Sequence, residues 1–169
     1  MTASTQHPRQ SAGFHVHEVN DEHGVNEVRR LVLEYAASMS TKPGVEHLRA
    51  DAAALPGRFA LPRGGLWLAT ADDAGTGVGC VAVRPLDDDI AEVKRMYVDA
   101  AWRGRGVGRA LLEALIAGAR ERGYAKLRLG TLEEMKEAQS LYHSVGFRPI
   151  ERYRPDEIVD TIFYERSLR

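Results

Sequence analysis

Residues 91–108 read Ala-Glu-Val-Lys-Arg-Met-Tyr-Val-Asp-Ala-Ala-Trp-Arg-Gly-Arg-Gly-Val-Gly. The first half reads as a strand, and the second is a turn with glycine at alternate positions. A helical pattern follows at once. Val107, Leu111, Leu115 and Ala119 recur every fourth residue, Leu112 and Ile116 widen the stripe, and Arg109, Glu113 and Arg120 fall on the other side. Arg103 to Gly108 is therefore expected where a strand hands over to a helix N-terminus. The first N–H groups of a helix have no partner inside it, and its dipole places partial positive charge there. Gly104, Gly106 and Gly108 let a ligand approach the main chain closely, and Arg103 and Arg105 add two full charges. The expected ligand is an anion, foremost a pyrophosphate.

The glycine spacing is not that of the dinucleotide fingerprint Gly-x-Gly-x-x-Gly, and no Gly-Lys-Ser/Thr follows as a P-loop requires. Arg103-x-x-Gly106-x-Gly108 instead resembles the Arg/Gln-x-x-Gly-x-Gly/Ala signature of the GCN5-related N-acetyltransferases. In that family this loop holds the pyrophosphate of acetyl-CoA. A second family-like segment lies at Leu141-Tyr142-x-x-x-Gly146-Phe147. Leu-Pro-Gly-Arg-Phe at 55–59, the run at 78–88 and Glu-Val-Lys-Arg-Met-Tyr-Val at 92–98 look like a bacterial subgroup with mostly unassigned acceptors.

The rest of the chain is consistent with one domain. Its 169 residues suit one core, and 44% hydrophobic with 28% charged residues is an ordinary globular composition. A net charge of −1 provides no global field toward nucleic acid or a membrane. One cysteine, Cys80, sits in an apolar run, which excludes an internal disulfide and reads as core. No apolar run approaches the ~20 residues of a membrane span. With no apolar leader segment either, a cytoplasmic location is the expectation.

Residues 1–13 are polar and aperiodic and are expected to be a loose tail, with the domain spanning 14–169. Phe14–Val19 reads as a strand, with His15 and His17 exposed together. Asn20 or Asp21 caps a helix carrying Val25, Val28, Val32, Tyr35 and Met39 on one face. Residues 40–44 break it, a weaker helix follows to Leu55, and 55–65 is a loop. Strands are expected at 66–70, 78–84 and 90–98, the first two joined by the loop at 72–77 and the last two by the turn at 85–89. The three aspartates at 87–89 read as a solvated turn rather than a metal site. Helix 105–122 stops at Gly123. A strand at 125–131, a helix at 133–144 and two closing strands at 147–153 and 161–166 complete the order.

That order is α/β. It matches the acetyltransferase family over nearly the whole chain after the tail. The resemblance implies a mixed, mostly antiparallel central sheet with helices on both faces and a central strand–helix–strand unit that binds CoA. The region between the first two strands would form one wall of the acceptor site.

Acetyl transfer from a thioester to an amine needs a held donor, a neutral amine, hydrogen-bond donors for the oxyanion and a proton for the departing thiolate. The resemblance implies that pantetheine pairs with the strand bearing Met96, Tyr97 and Val98. A main-chain N–H at Met96 or Tyr97 would polarise the thioester. The diphosphate would lie on Arg103, Gly104, Arg105, Gly106, Val107, Gly108 and Arg109. Strand alternation puts Glu92, Lys94, Met96 and Val98 on one face and Val93, Arg95 and Tyr97 on the other. Some family members carry a catalytic carboxylate eleven residues before the Arg/Gln of the loop, the separation of Glu92 from Arg103. Glu92 is thus a candidate base with a raised pKa, alternatively a substrate-binding residue or an arginine partner; the amine can also lose its proton to bulk water. Tyr142 is the candidate acid for the CoA thiolate, alternatively a core tyrosine. Two departures stand out: Met135 where many members have a cofactor-contacting asparagine, and Ala100 where proline is common.

The expected activity is acetyl-CoA-dependent N-acetylation of a small primary amine, such as an amino acid or polyamine-like metabolite, with no metal and no nucleic acid. A protein or peptide acceptor and a CoA-binding regulatory module without turnover remain alternatives. Dimers are common in the resembled family, which makes a homodimer an expectation as well.

Overall fold

The computed structural model describes residues 13–39, 41–71, 75–155, 158 and 160–169. Among them, seven strands form one sheet: β1 (Phe14–Glu18), β2 (Gly65–Ala71), β3 (Gly77–Pro85), β4 (Ile90–Val98), β5 (Lys126–Leu132), β6 (Arg148–Ile150) and β7 (Thr161–Ser167). Their spatial order is β1-β2-β3-β4-β5-β7-β6, with β4 and β5 parallel and every other pair antiparallel. The helices are α1 (Glu22–Ser38), α2 (Val45–Ala54), α3 (Val107–Glu121) and α4 (Lys136–Ser144).

The apolar runs of β2 and β3 are continuous because both faces of the sheet are covered. Trp67, Ala69, Val81, Val83, Ala91 and Val93 pack with Leu127 and Leu129 under Val107, Leu111, Leu115 and Ala119 of α3. Leu66, Leu68, Cys80 and Ala82 face the other way, against Val28, Leu31 and Val32 of α1 and Leu48 and Ala52 of α2. Asp21 caps α1 by accepting from the Gly24 N–H at 2.7 Å. Asp87 organises the β3–β4 turn by accepting from the N–H groups of Asp89 and Ile90, each at 2.8 Å.

The contact between α3 and β2 is tight enough to test. A Cβ added at Gly118 would lie 2.4 Å from Cζ2 of Trp67, whose ring is buried and lies under the Arg122 guanidinium. Alanine is worth about 1 kcal/mol over glycine in a helix, but overpacking against a fixed indole costs about 1–3 kcal/mol. Gly118→Ala is expected to lower Tm by several degrees, read by thermal unfolding; a rise in Tm would mean that the α3–β2 contact is looser than described.

Boundaries differ from the sequence reading where side chains have distant partners. Helix α4 begins at Lys136 rather than Glu133, because the Glu133 N–H is drawn to the Asp160 carbonyl at 2.9 Å. The strand expected at 147–153 ends at Ile150, and the chain leaves the sheet to carry Tyr153 and Arg154 toward Glu92. The tail expected at 1–13 lies outside the described residues apart from Gly13. Ser40, residues 72–74 of the hairpin loop and residues 156, 157 and 159 of the closing connection lie outside them too.

Two irregularities in β4 position the site. The first is a β-bulge. Ala82 pairs with Lys94 but Cys80 pairs with Tyr97, so Val81 alone opposes Arg95 and Met96. Arg95 adopts φ +58, the one positive φ of a described non-glycine residue. Such backbone is costly and persists where its surroundings fix it. Here the Arg95 guanidinium bonds Asp51 of α2 at 2.5 Å, and the Cys80 thiol donates to the Arg95 carbonyl at 3.4 Å. The extra residue reverses the alternation beyond it. Glu92, Lys94, Met96 and Val98 therefore do not share a face as expected: Met96 and Val98 turn to the α3 side, and Tyr97 joins the α1 side. The second irregularity is a parting of strands. β4 and β5 pair only from Ile90–Lys126 to Glu92–Arg128, after which each strand runs on without the other.

Candidate active site

Helix α3 starts at Val107 with Gly106 at its N-cap, and among the described residues no side-chain cap bonds its first N–H groups. Gly104 and Gly106 have φ +75 and +84, the left-handed conformations that glycine adopts freely, and a Cβ at either would meet nothing within 4 Å. Gly108 differs. A Cβ there would lie 2.9 Å from Leu141 and 3.0 Å from Met96, so this glycine lets α3 close on α4 and β4. Arg103 bonds the Val98 carbonyl through Nε at 3.1 Å and lies over the Tyr97 ring; Arg105 lies over Trp102. Arg103 to Gly106 are exposed and Val107 is buried in the core. Arg109 directs its side chain to Glu113 and Ser144, leaving its main-chain N–H as its feature in common with the loop. The result is an open nest of main-chain donors at the positive end of a 15-residue helix, with arginine on either side of Gly104.

Below this loop the parted strands enclose a cavity of about 770 Å³. Its walls include Val93–Val98 of β4, Leu129–Leu132 of β5, Arg103 and Tyr142, so Met96, Tyr97, Val98, Arg103 and Tyr142 are brought together on one space. Because the β4–β5 ladder stops at Glu92, main-chain groups of β4 that would face β5 border the cavity instead. This is a strand edge that an extended amide-bearing chain can complete. Tyr35, Pro43, Gly44, His47 and Leu48, from α1, α2 and the segment between them, close the far side. Glu134, one of the lining residues, forms an ion pair with Lys42 of the segment between α1 and α2.

Tyr142 sits on α4 with its ring edge-on to Phe147, at a centroid distance of 5.9 Å. Burial pushes its phenol well above the usual value, with Tyr35 adding a smaller push. It remains protonated at neutral pH, the state from which it can donate.

Glu92 is placed differently from the sequence expectation. It is fully buried and does not line the cavity. One carboxylate oxygen accepts from the Tyr153 hydroxyl at 2.6 Å; the other meets Arg84 Nε and Arg154 Nη1, each at 3.0 Å, with Lys94 Nζ at 3.6 Å. Burial pushes the carboxyl up, but Lys94, the Tyr153 hydroxyl, Arg154 and Arg84 outweigh it and hold it below its ordinary value. The raised pKa expected for Glu92 is thus corrected: three hydrogen-bond donors occupy its oxygens, with the Lys94 ammonium beside them.

Burial pushes Lys94 down to about 8, with Arg154, Arg95 and Arg58 acting in the same direction and Glu92 opposing them. Lys94, Arg84, Arg95 and Arg154 line the cavity with Arg58, and sequence reasoning gave none of them a role. Arg84 was within reach, since it is the cross-strand partner of Glu92 in the hairpin around Asp87. Arg58 and Arg154 arrive from a loop and a chain segment far away in sequence, which no local pattern reports. Met135 also lines the cavity, with its sulfur 3.8 Å from the Thr131 hydroxyl.

Residues 62–149 match the family described as Acetyltransferase (GNAT) domain. The chain is 31% identical over 145 residues to an uncharacterized N-acetyltransferase of Schizosaccharomyces pombe, covering 85% of this chain and 88% of that one. It is 35% identical over 105 residues to the N-acetylaspartate synthetase of Danio rerio, which covers 61% of this chain but 36% of that protein. A solved acetyltransferase of the GNAT family from Staphylococcus aureus superposes with a TM-score of 0.78 at 25% identity, over 92% of this chain and 99% of that one.

Proposed function

The chain belongs to the GNAT acetyltransferase family, and we propose that it moves the acetyl group of acetyl-CoA to the primary amine of a small molecule by direct attack in a ternary complex. As a family member it is an acetyl-CoA-dependent N-acetyltransferase. The observation that carries the finer reading is the continuity of an uncapped helix N-terminus with a cavity walled by an unpaired strand edge. The diphosphate lies on the N–H groups from Gly104 to Arg109, beside Arg103 and Arg105. Pantetheine extends along β4 from Val98, and an N–H at Met96 or Tyr97 polarises the thioester carbonyl. The neutral amine attacks the thioester carbonyl from the α1–α2 side; as the C–S bond breaks, Tyr142 gives its proton to the departing thiolate, and the proton shed by the new amide nitrogen passes to solvent, from which the phenol is restored.

The amine must arrive neutral. Glu92 is poorly suited to take its proton, since its oxygens are already engaged. The amine loses its proton to bulk water before it binds, and Glu92 serves as the anchor that gathers Arg84, Lys94 and Arg154. The Lys42–Glu134 pair and the closing α1–α2 segment support a small acceptor over a protein surface. The similarity to N-acetylaspartate synthetase supports an amino acid.

The test is release of free thiol from acetyl-CoA in the presence of amines. Tyr142→Phe is expected to lower kcat by about tenfold or more, within the range of general-acid contributions, with CoA affinity unchanged. An unchanged kcat would remove Tyr142 from the mechanism. CoA binding without thiol release across a broad panel would favour a regulatory module.

A further inference from the structure

The transferase reading gives the thioester carbonyl to main-chain groups at Met96 and Tyr97, so the direction of that main chain matters. The residue before them is Arg95, the extra residue of the β4 bulge, at φ +58. A residue with a side chain is strained there. Without the bulge, alternation would send Met96 to the α1 side and Tyr97 to the α3 side, the reverse of what is seen, and their N–H groups would turn with them.

What holds the bulge comes from α2. Asp51 accepts from Arg95 Nε through Oδ2 at 2.5 Å, and both side chains are largely buried. The carboxylate is itself fixed. Arg58 donates Nε to Oδ1 at 3.1 Å and Nη2 to Oδ2 at 2.8 Å, and its guanidinium lies over the ring of the buried Phe59. Helix α2 is fastened in turn: Leu48 and Ala52 are in the core, and Arg29 of α1 bonds the Ala52 carbonyl at 2.9 Å. The Cys80 thiol, a weak donor, adds a bond to the Arg95 carbonyl at 3.4 Å. Asp51 lies one helical turn beyond His47, which walls the cavity, but does not line the cavity itself.

We propose that Asp51 is a positioning residue for acetyl transfer: its pairing with Arg95 holds the β4 bulge in the form that presents the main chain of Met96 and Tyr97 to the thioester carbonyl. Loss of Asp51 slows the chemical step and leaves the grip on CoA, which rests on the Gly104–Arg109 turn, in place.

This inference rests on the transferase reading, and its test keeps the two apart. One readout is kcat with a panel of amines. The other is the infrared stretch of the thioester carbonyl in isotope-labelled acetyl-CoA bound to the protein, which falls in frequency when an N–H bonds the oxygen and needs no turnover. Asp51→Asn keeps the side chain's shape and removes its charge. It is expected to lower kcat about tenfold, a part of what losing an oxyanion donor outright costs, with the KM for acetyl-CoA little changed, and to move the carbonyl band to higher frequency. Arg95→Gly and Arg95→Ala separate backbone from side chain and carry the test if Asp51→Asn does not fold. Both remove the guanidinium, but glycine takes a positive φ freely and alanine does not. The glycine variant should exceed the alanine variant in kcat by about tenfold and keep the lower band. A clamp that serves stability alone would lower Tm in all three variants and move neither kcat nor the band.

A band that Asp51→Asn shifts, with no amine acetylated, would uphold the inference while the transferase reading fell. Unchanged kcat and band in Asp51→Asn, or equal kcat in the two Arg95 variants, would overturn the inference and leave the transferase standing. A bound thioester whose band is not lowered in the native protein would overturn it as well.

Discussion

Replacement of Glu92 by Gln is expected to cost about 3–5 kcal/mol of stability, the range for breaking a buried ion cluster by removing one partner. The carboxylate is fully buried, and Arg84, Arg154 and Lys94 converge on it. Glutamine keeps the shape and can still accept from the Tyr153 hydroxyl, but three cations lose their common counter-charge. For a chain of this size, with about 2–4 °C in Tm per kcal/mol, the loss is on the order of 10 °C. The effect depends on pH in a defined direction. The folded chain holds the Glu92 carboxyl below its ordinary value, so its contribution is complete above the unfolded value of about 4.3 and disappears as pH falls through the folded value. Urea unfolding of the two proteins should differ most near neutrality and converge in acid. At a temperature where the variant is folded, its kcat should fall by no more than about tenfold. A loss of ~10²–10⁴ with unchanged stability would instead identify Glu92 as the general base.

The second large effect is expected at the loop that leads into α3, proposed above to hold the CoA diphosphate. Gly106 caps α3 at φ +84. A β-branched residue is strained there by roughly 1–2 kcal/mol, and it would both turn the adjacent N–H groups and stand in the path of an anion. Gly106→Val is expected to weaken CoA binding by about 100-fold, equivalent to ~2.7 kcal/mol. Gly123 provides the control. It follows α3 at φ +85 with nothing within 4 Å of an added Cβ, so Gly123→Val carries comparable strain at the opposite end of the same helix. Calorimetry with CoA should find affinity lost in the first variant and retained in the second. Equal loss in both would trace the effect to general destabilisation.

Much of this architecture was legible in the residues. The every-fourth-residue stripe from Val107 to Ala119, the alternate glycines before it and the strand ahead of them gave the central strand–helix unit and the glycine-bearing turn at its helix N-terminus. The apolar runs at β2 and β3 gave a sheet covered on both faces. The bulge was not legible, because it depends on Arg95 reaching Asp51 of α2, a residue 44 positions earlier; strict alternation through 92–98 therefore put Met96 on the wrong face. Glu92 was picked out by its place on the strand, but its surroundings come from three segments: β3, β4 itself and the adjacent Tyr153 and Arg154 beyond β6. Charges gathered by tertiary contact leave no period in the sequence, and the change from an expected proton acceptor to an anchored carboxylate follows from that. Gly108 belongs to the same lesson: it reads like its two neighbours, yet it serves packing against Leu141 and Met96.

The most direct measurement is a crystal structure of the protein with CoA bound. The account places diphosphate oxygens about 3 Å from main-chain nitrogens between Gly104 and Arg109, within ordinary hydrogen-bond distance, and pantetheine along the free edge of β4 beside Met96 and Tyr97. CoA held elsewhere, with the loop from Arg103 to Gly108 bare, would contradict it.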